Sequence, residues 1–186
     1  SEMVMMVLLN EDLMCAIPCV MFLRSRRRGR RPPAAGQILM RFLPVEEADR
    51  AEAVHITYQL LIERPPEANI THQRFVGLSD HEDFFDHHPY RHWFLLMTDD
   101  TSHPKKDQEV CVGSLYITPD DEIGIFILQE HQRRGYAREA LLQAITAHKP
   151  RHGDRFKANV NPRNQASIDL FKSIGSFHIQ NTYALP

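Results

Sequence analysis

The sequence predicts an α+β domain built on a mixed sheet, and three features carry that expectation. Short apolar runs of strand length alternate with stretches of helical periodicity. Two of the runs, VCVGSLYI (110–117) and EIGIFIL (122–128), flank the turn Pro119-Asp120-Asp121, so they must pair antiparallel. After the second comes a helical stretch and then another strand-like run, RFKANVN (155–161). A strand–helix–strand crossover of that kind sets its two strands parallel.

In chain order, ILMRFL (38–43) reads as the first strand. Apolar residues at helical spacing then run from Val45 to Ile62, and Pro65-Pro66 ends the helix. Ser79, with Glu82 three residues on, gives a capping-box signature for a short helix over 79–88. HWFLLM (92–97) is a strand, and TDDTSHPKKDQE a polar turn leading to the 110–128 hairpin. A helix over 135–148 follows, then the 155–161 strand. Asn164 to Ile174 forms a helix stopped by Gly175, and SFHIQNTYAL (176–185) a last strand.

The first 36 residues stand apart, so the chain divides into an N-terminal extension (1–36) and a domain (37–186). Apolar runs Met3–Leu9 and Leu13–Leu23 are separated by Asn10, Glu11 and Asp12. An aspartate at a bilayer centre costs about 2.5–3.5 kcal/mol, and Glu11 and Pro18 add to that, so no membrane anchor is expected. The positive charge follows the apolar stretch, which argues against a cleaved signal peptide. The extension reads as two short strands around the turn or as a docked helix, and periodicity does not separate the two. LRSRRRGRRPPAAG then places six arginines among residues 24–31. It reads as a solvated linker, as a phosphate-binding arm, or as sequence not native to the domain.

The 186 residues suit one domain, and 42% hydrophobic with 25% charged residues is the balance of a globular protein. A formal net charge of −2 excludes general polyanion binding, so contact with nucleic acid is open only to the arginine-rich segment. Cys15, Cys19 and Cys111 cannot all pair, and with no extracellular signal they read as thiols in the reducing cytoplasm. A homodimer is compatible with this composition. The eleven histidines show no metal-ligand spacing, so no metal is expected.

The chemistry concentrates at HQRRGYAREALLQAI (131–145), a basic, glycine-broken turn entering an amphipathic helix. Helix-start N–H groups lack intrahelical partners and carry the positive end of the dipole. Gly135 lets the backbone approach an anion, and Arg133 and Arg134 add charge at the rim. The turn suits a diphosphate. Neither G-x-x-x-x-G-K-[ST] nor G-x-G-x-x-G occurs.

Q-R-R-G-Y-A (132–137) resembles the R/Q-x-x-G-x-G/A signature of the GCN5-related N-acetyltransferases, the GNAT family. VNPRNQASIDLFKSIGSF (160–177) is similar to that family's N-x-x-A/S-x-x-L-Y/F-x-x-x-G-F segment. The resemblance covers residues 38–186 and is strongest from Val110 to Phe177. It implies a GNAT-like acyl-CoA acyltransferase fold, a mostly antiparallel central sheet with a splayed parallel strand pair flanked by helices. It also implies acetyl-CoA as co-substrate. Gln132, Arg133, Arg134, Gly135, Tyr136 and Ala137 would hold the pyrophosphate. Ile125, Phe126, Ile127 and Leu128 would run along the pantetheine, with the backbone N–H of Ile127 facing the thioester carbonyl. Asn164 and Phe171 would contact the coenzyme arm. Ala137 is an accepted variant of the family's second glycine.

The expected reaction is attack by a primary amine on the thioester, helped by proximity, an oxyanion donor and a base. Glu122 is the candidate base, with a structural hydrogen bond as its other reading. His131, Asn159 and Asn161 are further acceptor-side residues. Phe171 stands where family members often carry a tyrosine acid, leaving Tyr136, Tyr183 or water for that task. The cluster His81, Glu82, Asp83, Asp86, His87, His88 and His92 is expected to form a polar helix face that partly lines the acceptor pocket. Its carboxylates would favour a cationic amine, and its histidines could make a pH-sensitive contact. The function implied is acetyl transfer to a small-molecule amine or amino sugar. Two alternatives stay open: modification of a protein, tRNA or DNA amine, and a non-catalytic acyl-CoA-binding module.

Overall fold

The computed structural model describes residues 38, 40–65, 68, 76–99 and 109–180. The N-terminal extension with its arginine-rich stretch, the polar turn over 100–108 and the last six residues lie outside them. Strands β1 (Met40–Pro44), β2 (His92–Thr98), β3 (Val110–Ile117) and β4 (Ile123–Ile127) form one sheet in the order β1-β2-β3-β4, each neighbour antiparallel. Helices α1 (Arg50–Ile62) and α2 (Leu78–His87) precede β2; α3 (Tyr136–Ala147) and α4 (Gln165–Ser173) follow β4.

The sheet is buried on both faces, which explains the unbroken apolar text of HWFLLM. Phe94 and Leu96 of β2 pack with Val112, Leu115 and α3 residues Leu141 and Ala144. Trp93, Leu95 and Met97 turn the other way, onto Ala53 and Val54 of α1 and Phe85 of α2. Strand side chains alternate faces, so one strand serves two cores. The indole N–H of Trp93 donates to the Ser114 hydroxyl at 2.9 Å, which satisfies two buried polar groups.

Two helix starts differ from expectation. The apolar periodicity begins at Val45, but Val45–Glu47 is a 3-10 turn and α1 begins at Arg50. Asp49 caps it, its carboxylate accepting from the Glu52 N–H at 3.0 Å. The capping box of the second helix does not form. That helix starts at Leu78 behind Gly77, which leaves Ser79 and Glu82 inside it and no side chain capping it.

Gly113 faces Ile127 across β3 and β4. A methyl group there would collide with the Phe126 carbonyl oxygen and come within 3.0 Å of the Ile127 Cα. Backbone atoms cannot swing aside, so Gly113→Ala should lower stability by about 1–3 kcal/mol through overpacking. Urea unfolding measures this, and an unchanged midpoint would contradict the close approach.

The largest departure is at 155–161, where a single bridge replaces the expected strand. Lys157 pairs with Glu122 in parallel sense. The Ile123 N–H donates to the Lys157 carbonyl (2.8 Å), and the Lys157 N–H to the Asp121 carbonyl (3.0 Å). Beyond it the chain bonds locally: Asn161 accepts from the N–H of Asn164 through its carbonyl and from that of Arg163 through its side chain. Such local bonds compete with a ladder. The parallel sense is as expected, but the mixed character of the sheet rests on this bridge. The last expected strand is absent over 176–180, and its remainder lies outside the described residues.

The splay leaves the outer edge of β4 open. Backbone groups alternate sides along a strand. The Ile123 N–H points outward to Lys157, so those of Ile125 and Ile127 point outward too. The Leu128 N–H turns inward and donates to the Val112 carbonyl at 3.0 Å.

Candidate active site

A groove of about 670 Å³ runs along this open edge. Ile125, Phe126 and Ile127 form one wall, while Asn161, Asn164 and Phe171 line the groove from the segment after the splay and from α4. The turn Gln132–Ala137 lines it as well, except for Arg134.

That turn is shaped by two left-handed residues, Arg133 (φ 60) and Gly135 (φ 85). Gly135 is the N-cap of α3 and brings no side chain to its first N–H groups. The first helical bond runs from the Glu139 N–H to the Gly135 carbonyl at 3.1 Å. The N–H groups of Ala137 and Arg138, ahead of that bond, point out of the helix end, and both residues line the groove. Gln132 ties the turn to the strand, its amide donating to the Ile127 carbonyl at 3.0 Å. The result is an uncapped positive dipole end beside a strand edge whose Ile125 and Ile127 N–H groups have no partner among the described residues.

Two expected coenzyme contacts, Leu128 and Arg134, do not line the groove. Leu128 is 5% exposed and spends its N–H on β3, so it faces the core. Arg134 is exposed, its guanidinium donating to the Glu130 carbonyl at 3.4 Å.

Glu122, His131, Asn159 and Asn161 all line the groove. Glu122 is half-buried, and its carboxylate makes no hydrogen bond or ion pair with a described residue. At about 3.3 Å per residue, Ile127 lies roughly 17 Å farther along β4 and Ile125 roughly 10 Å. Glu122 and the Ile127 N–H therefore cannot both touch one thioester. His131 is buried, with Nε2 3.2 Å from the Glu130 carboxylate. Asn164 caps α4, its side-chain oxygen accepting from the Ser167 N–H at 3.0 Å, which leaves its amide nitrogen for a ligand. Tyr136 lines the groove but is 1% exposed and packs in the core; Tyr183 lies outside the described residues.

A second cavity, about 450 Å³, adjoins the groove and shares Leu60, Arg64, Tyr90, Tyr116 and Phe126 with it. Its walls are aromatic. Tyr90 stacks on Tyr116 with centroids 4.1 Å apart, and Phe84 meets Trp93 edge-on. Burial raises the pKa of both tyrosines, so their phenols stay protonated at neutral pH. The sequence reading missed these residues. Gly124 was the available signal, because a glycine inside a strand marks close approach of another group. A side chain there would run into the Tyr116 ring.

The acidic and histidine cluster does not assemble at either cavity. Asp86 pairs with Arg50 at 2.7 Å, His87 bonds the Asp83 carbonyl, and His88 lies 3.6 Å from Glu46. His92 packs against His148 with ring centroids 4.6 Å apart. Only His81 lines the second cavity, buried and 2.9 Å from the Thr57 hydroxyl, with burial lowering its pKa. The expected carboxylate lining for a cationic amine is therefore missing among Glu82, Asp83 and Asp86. Among the described residues no three His, Cys, Asp or Glu side chains gather as a metal site, and no helix is long and apolar enough to cross a membrane.

The model of the GNAT acetyltransferase family matches residues 55–175, and the chain belongs to that family. Several solved structures share the fold. One is an aminoglycoside N-acetyltransferase, AAC(6')-Iy, in complex with CoA: 14% identity, TM-score 0.53, covering 83% of this chain and 98% of that one. An acetyltransferase from Agrobacterium tumefaciens has 17% identity and a TM-score of 0.51, covering 82% and 87%. The spermidine/spermine N-acetyltransferase SpeG from Vibrio cholerae, in mutant forms, has 16% identity and a TM-score of 0.50, covering 75% and 78%. By sequence, no curated protein matches the chain.

Proposed function

We propose that the groove binds acetyl-CoA and that the chain transfers the acetyl group to the primary amine of a small molecule or amino sugar, by direct attack in a ternary complex. One observation carries the reading: the uncapped start of α3, with Gly135 left-handed, opens beside the free outer edge of β4. Ala137 and Arg138 N–H groups would hold the pyrophosphate, with Arg133 adding charge. Ile125 and Ile127 would bond the pantetheine arm like a neighbouring strand, and Asn164 and Phe171 would pack against it. The coenzyme supplies the thioester.

A cavity of about 450 Å³ suits a small acceptor, within the range of ligand pockets. It opens toward Phe126, so an amine entering from it arrives between Ile125 and Ile127. Either N–H would serve as oxyanion donor, with Ile127 the candidate. The nitrogen bonds the acetyl carbon, the carbon–sulfur bond breaks, and the amine proton passes to Glu122 through water, as the strand spacing requires. Phe171 offers no proton, and the thiolate departs as an anion or takes its proton from water. Cys111 does not line the groove, and burial pushes its thiol up to about 12, which is consistent with no acyl-cysteine step.

Calorimetry with acetyl-CoA and thiol release across an amine panel test the reading. Coenzyme binding without thiol release on any amine would mark a non-catalytic binding module instead. Glu122→Gln should lower kcat about 100-fold or more near neutral pH. The deficit should shrink as pH rises and the free amine becomes abundant. A parallel pH–rate profile in wild type and variant would take Glu122 out of the base role.

A further inference from the structure

We propose that the acceptor carries a carboxylate on an apolar or aromatic body, and that Arg64 binds that carboxylate where the groove meets the second cavity. The inference rests on the acetyl-transfer reading above and names its substrate class. Arg64 follows the end of α1, and its guanidinium lies over the Phe126 ring, 3.7 Å from the centroid. Its Nε is buried with no hydrogen-bond partner among the described residues. The acids lining the two cavities, Glu63, Asp80 and Glu122, make no ion pair with it. Glu63 is already engaged, accepting from the Gln59 amide at 2.8 Å and from the Gln129 N–H at 2.9 Å.

Burial lowers the Arg64 pKa, and the titratable groups felt around it are the tyrosines Tyr116 and Tyr90, uncharged at neutral pH. Arg64 is half-buried and has no counter-charge among the described residues, which is costly for a guanidinium, and stacking on one ring does not replace an anion. The planar fork suits a carboxylate bound through two parallel hydrogen bonds. The aromatic walls of Phe84, Tyr90, Trp93 and Tyr116 would hold an apolar body. Phe126, under the guanidinium, belongs to the strand whose edge faces the groove. An acceptor anchored on Arg64 therefore starts beside the proposed thioester position. A polycationic amine would meet an arginine at that entrance and be disfavoured.

The test uses matched amines on the full chain with saturating acetyl-CoA: phenylalanine and para-(aminomethyl)benzoate, each against its carboxamide, with spermidine as the polycation. Wild type should prefer at least one carboxylate over its amide by roughly 100-fold in kcat/KM. R64M should erase that preference, R64K should restore part of it, and coenzyme A affinity should stay unchanged in both. Amines turned over with no carboxylate preference, or a preference that survives in R64M, overturns the proposal. So does R64M weakening coenzyme A binding itself. If no amine releases thiol, the acetyl-transfer reading fails separately. N-acetylphenylalanine titrated into the CoA-loaded protein then judges the arginine, and binding that is absent or equal in R64M overturns its role.

Discussion

Gly135→Val should leave a folded protein that has lost coenzyme A affinity by roughly 100-fold, the worth of one or two charge-assisted hydrogen bonds to phosphate. The fold survives because space is not the obstacle. A Cβ at Gly135 would meet only the Ile38 Cδ1, at an ordinary 3.7 Å. Conformation is the obstacle: φ is 85, a region that costs a β-branched residue about 1–3 kcal/mol. Relief of that strain re-aims the N–H groups of Ala137 and Arg138 and puts a side chain into the cradle. Calorimetry with coenzyme A reads the loss, and a thermal melt with normal cooperativity shows that the fold persists. Gly135→Ala should fall between the two. Wild-type affinity in the valine variant would remove the turn from the site.

Asp121→Asn should lower the melting midpoint by roughly 10 °C, because it breaks a buried ion pair and keeps the shape. The Asp121 side chain is 1% exposed and that of Arg91 5%, with their atoms 2.7 Å apart. The other carboxylate oxygen accepts from the N–H groups of Arg151 and His152. Burial pushes the Asp121 pKa up, but those two N–H bonds and then Arg91 outweigh it, so the carboxyl sits below its usual range. A depressed carboxyl stabilises the fold above its unfolded value, about 3.9, and that stability disappears as pH falls through the folded value. Wild type should therefore lose stability below about pH 4, and the variant should lose less over the same window. Asparagine also tolerates the left-handed backbone at this position (φ 63), so the change isolates charge. A midpoint unchanged at pH 7 would mean the pair is dispensable. The Asp121 carbonyl also accepts from Lys157, so coenzyme binding should weaken along with the fold.

What could be read in advance follows the range of the forces involved. β3 agrees with the apolar run at 110–117, and α3 and α4 agree to within a residue or so at each end. Each is specified by neighbours a few residues away: a Pro-Asp-Asp turn, a repeating apolar stripe, an Asn cap. Helix starts were less legible. Val45 continues the apolar spacing of α1, yet Asp49 offers the cap, and capping overrode periodicity. At α2 the reverse occurred, and Gly77 displaced the Ser79 box.

The sequence alone determined the family-level architecture, the antiparallel hairpin and the glycine turn at a helix start, because hairpins, caps and amphipathic stripes are written in contiguous residues. Tertiary structure decided where RFKANVN leaves the sheet, which β4 N–H groups face outward, and that Arg64, which no sequence motif marks, lies over Phe126. Those outcomes depend on burial and pairing between segments far apart in the chain. No local pattern of residues encodes which distant partner will arrive, so the groove and its aromatic neighbour become visible only once the core has closed around them.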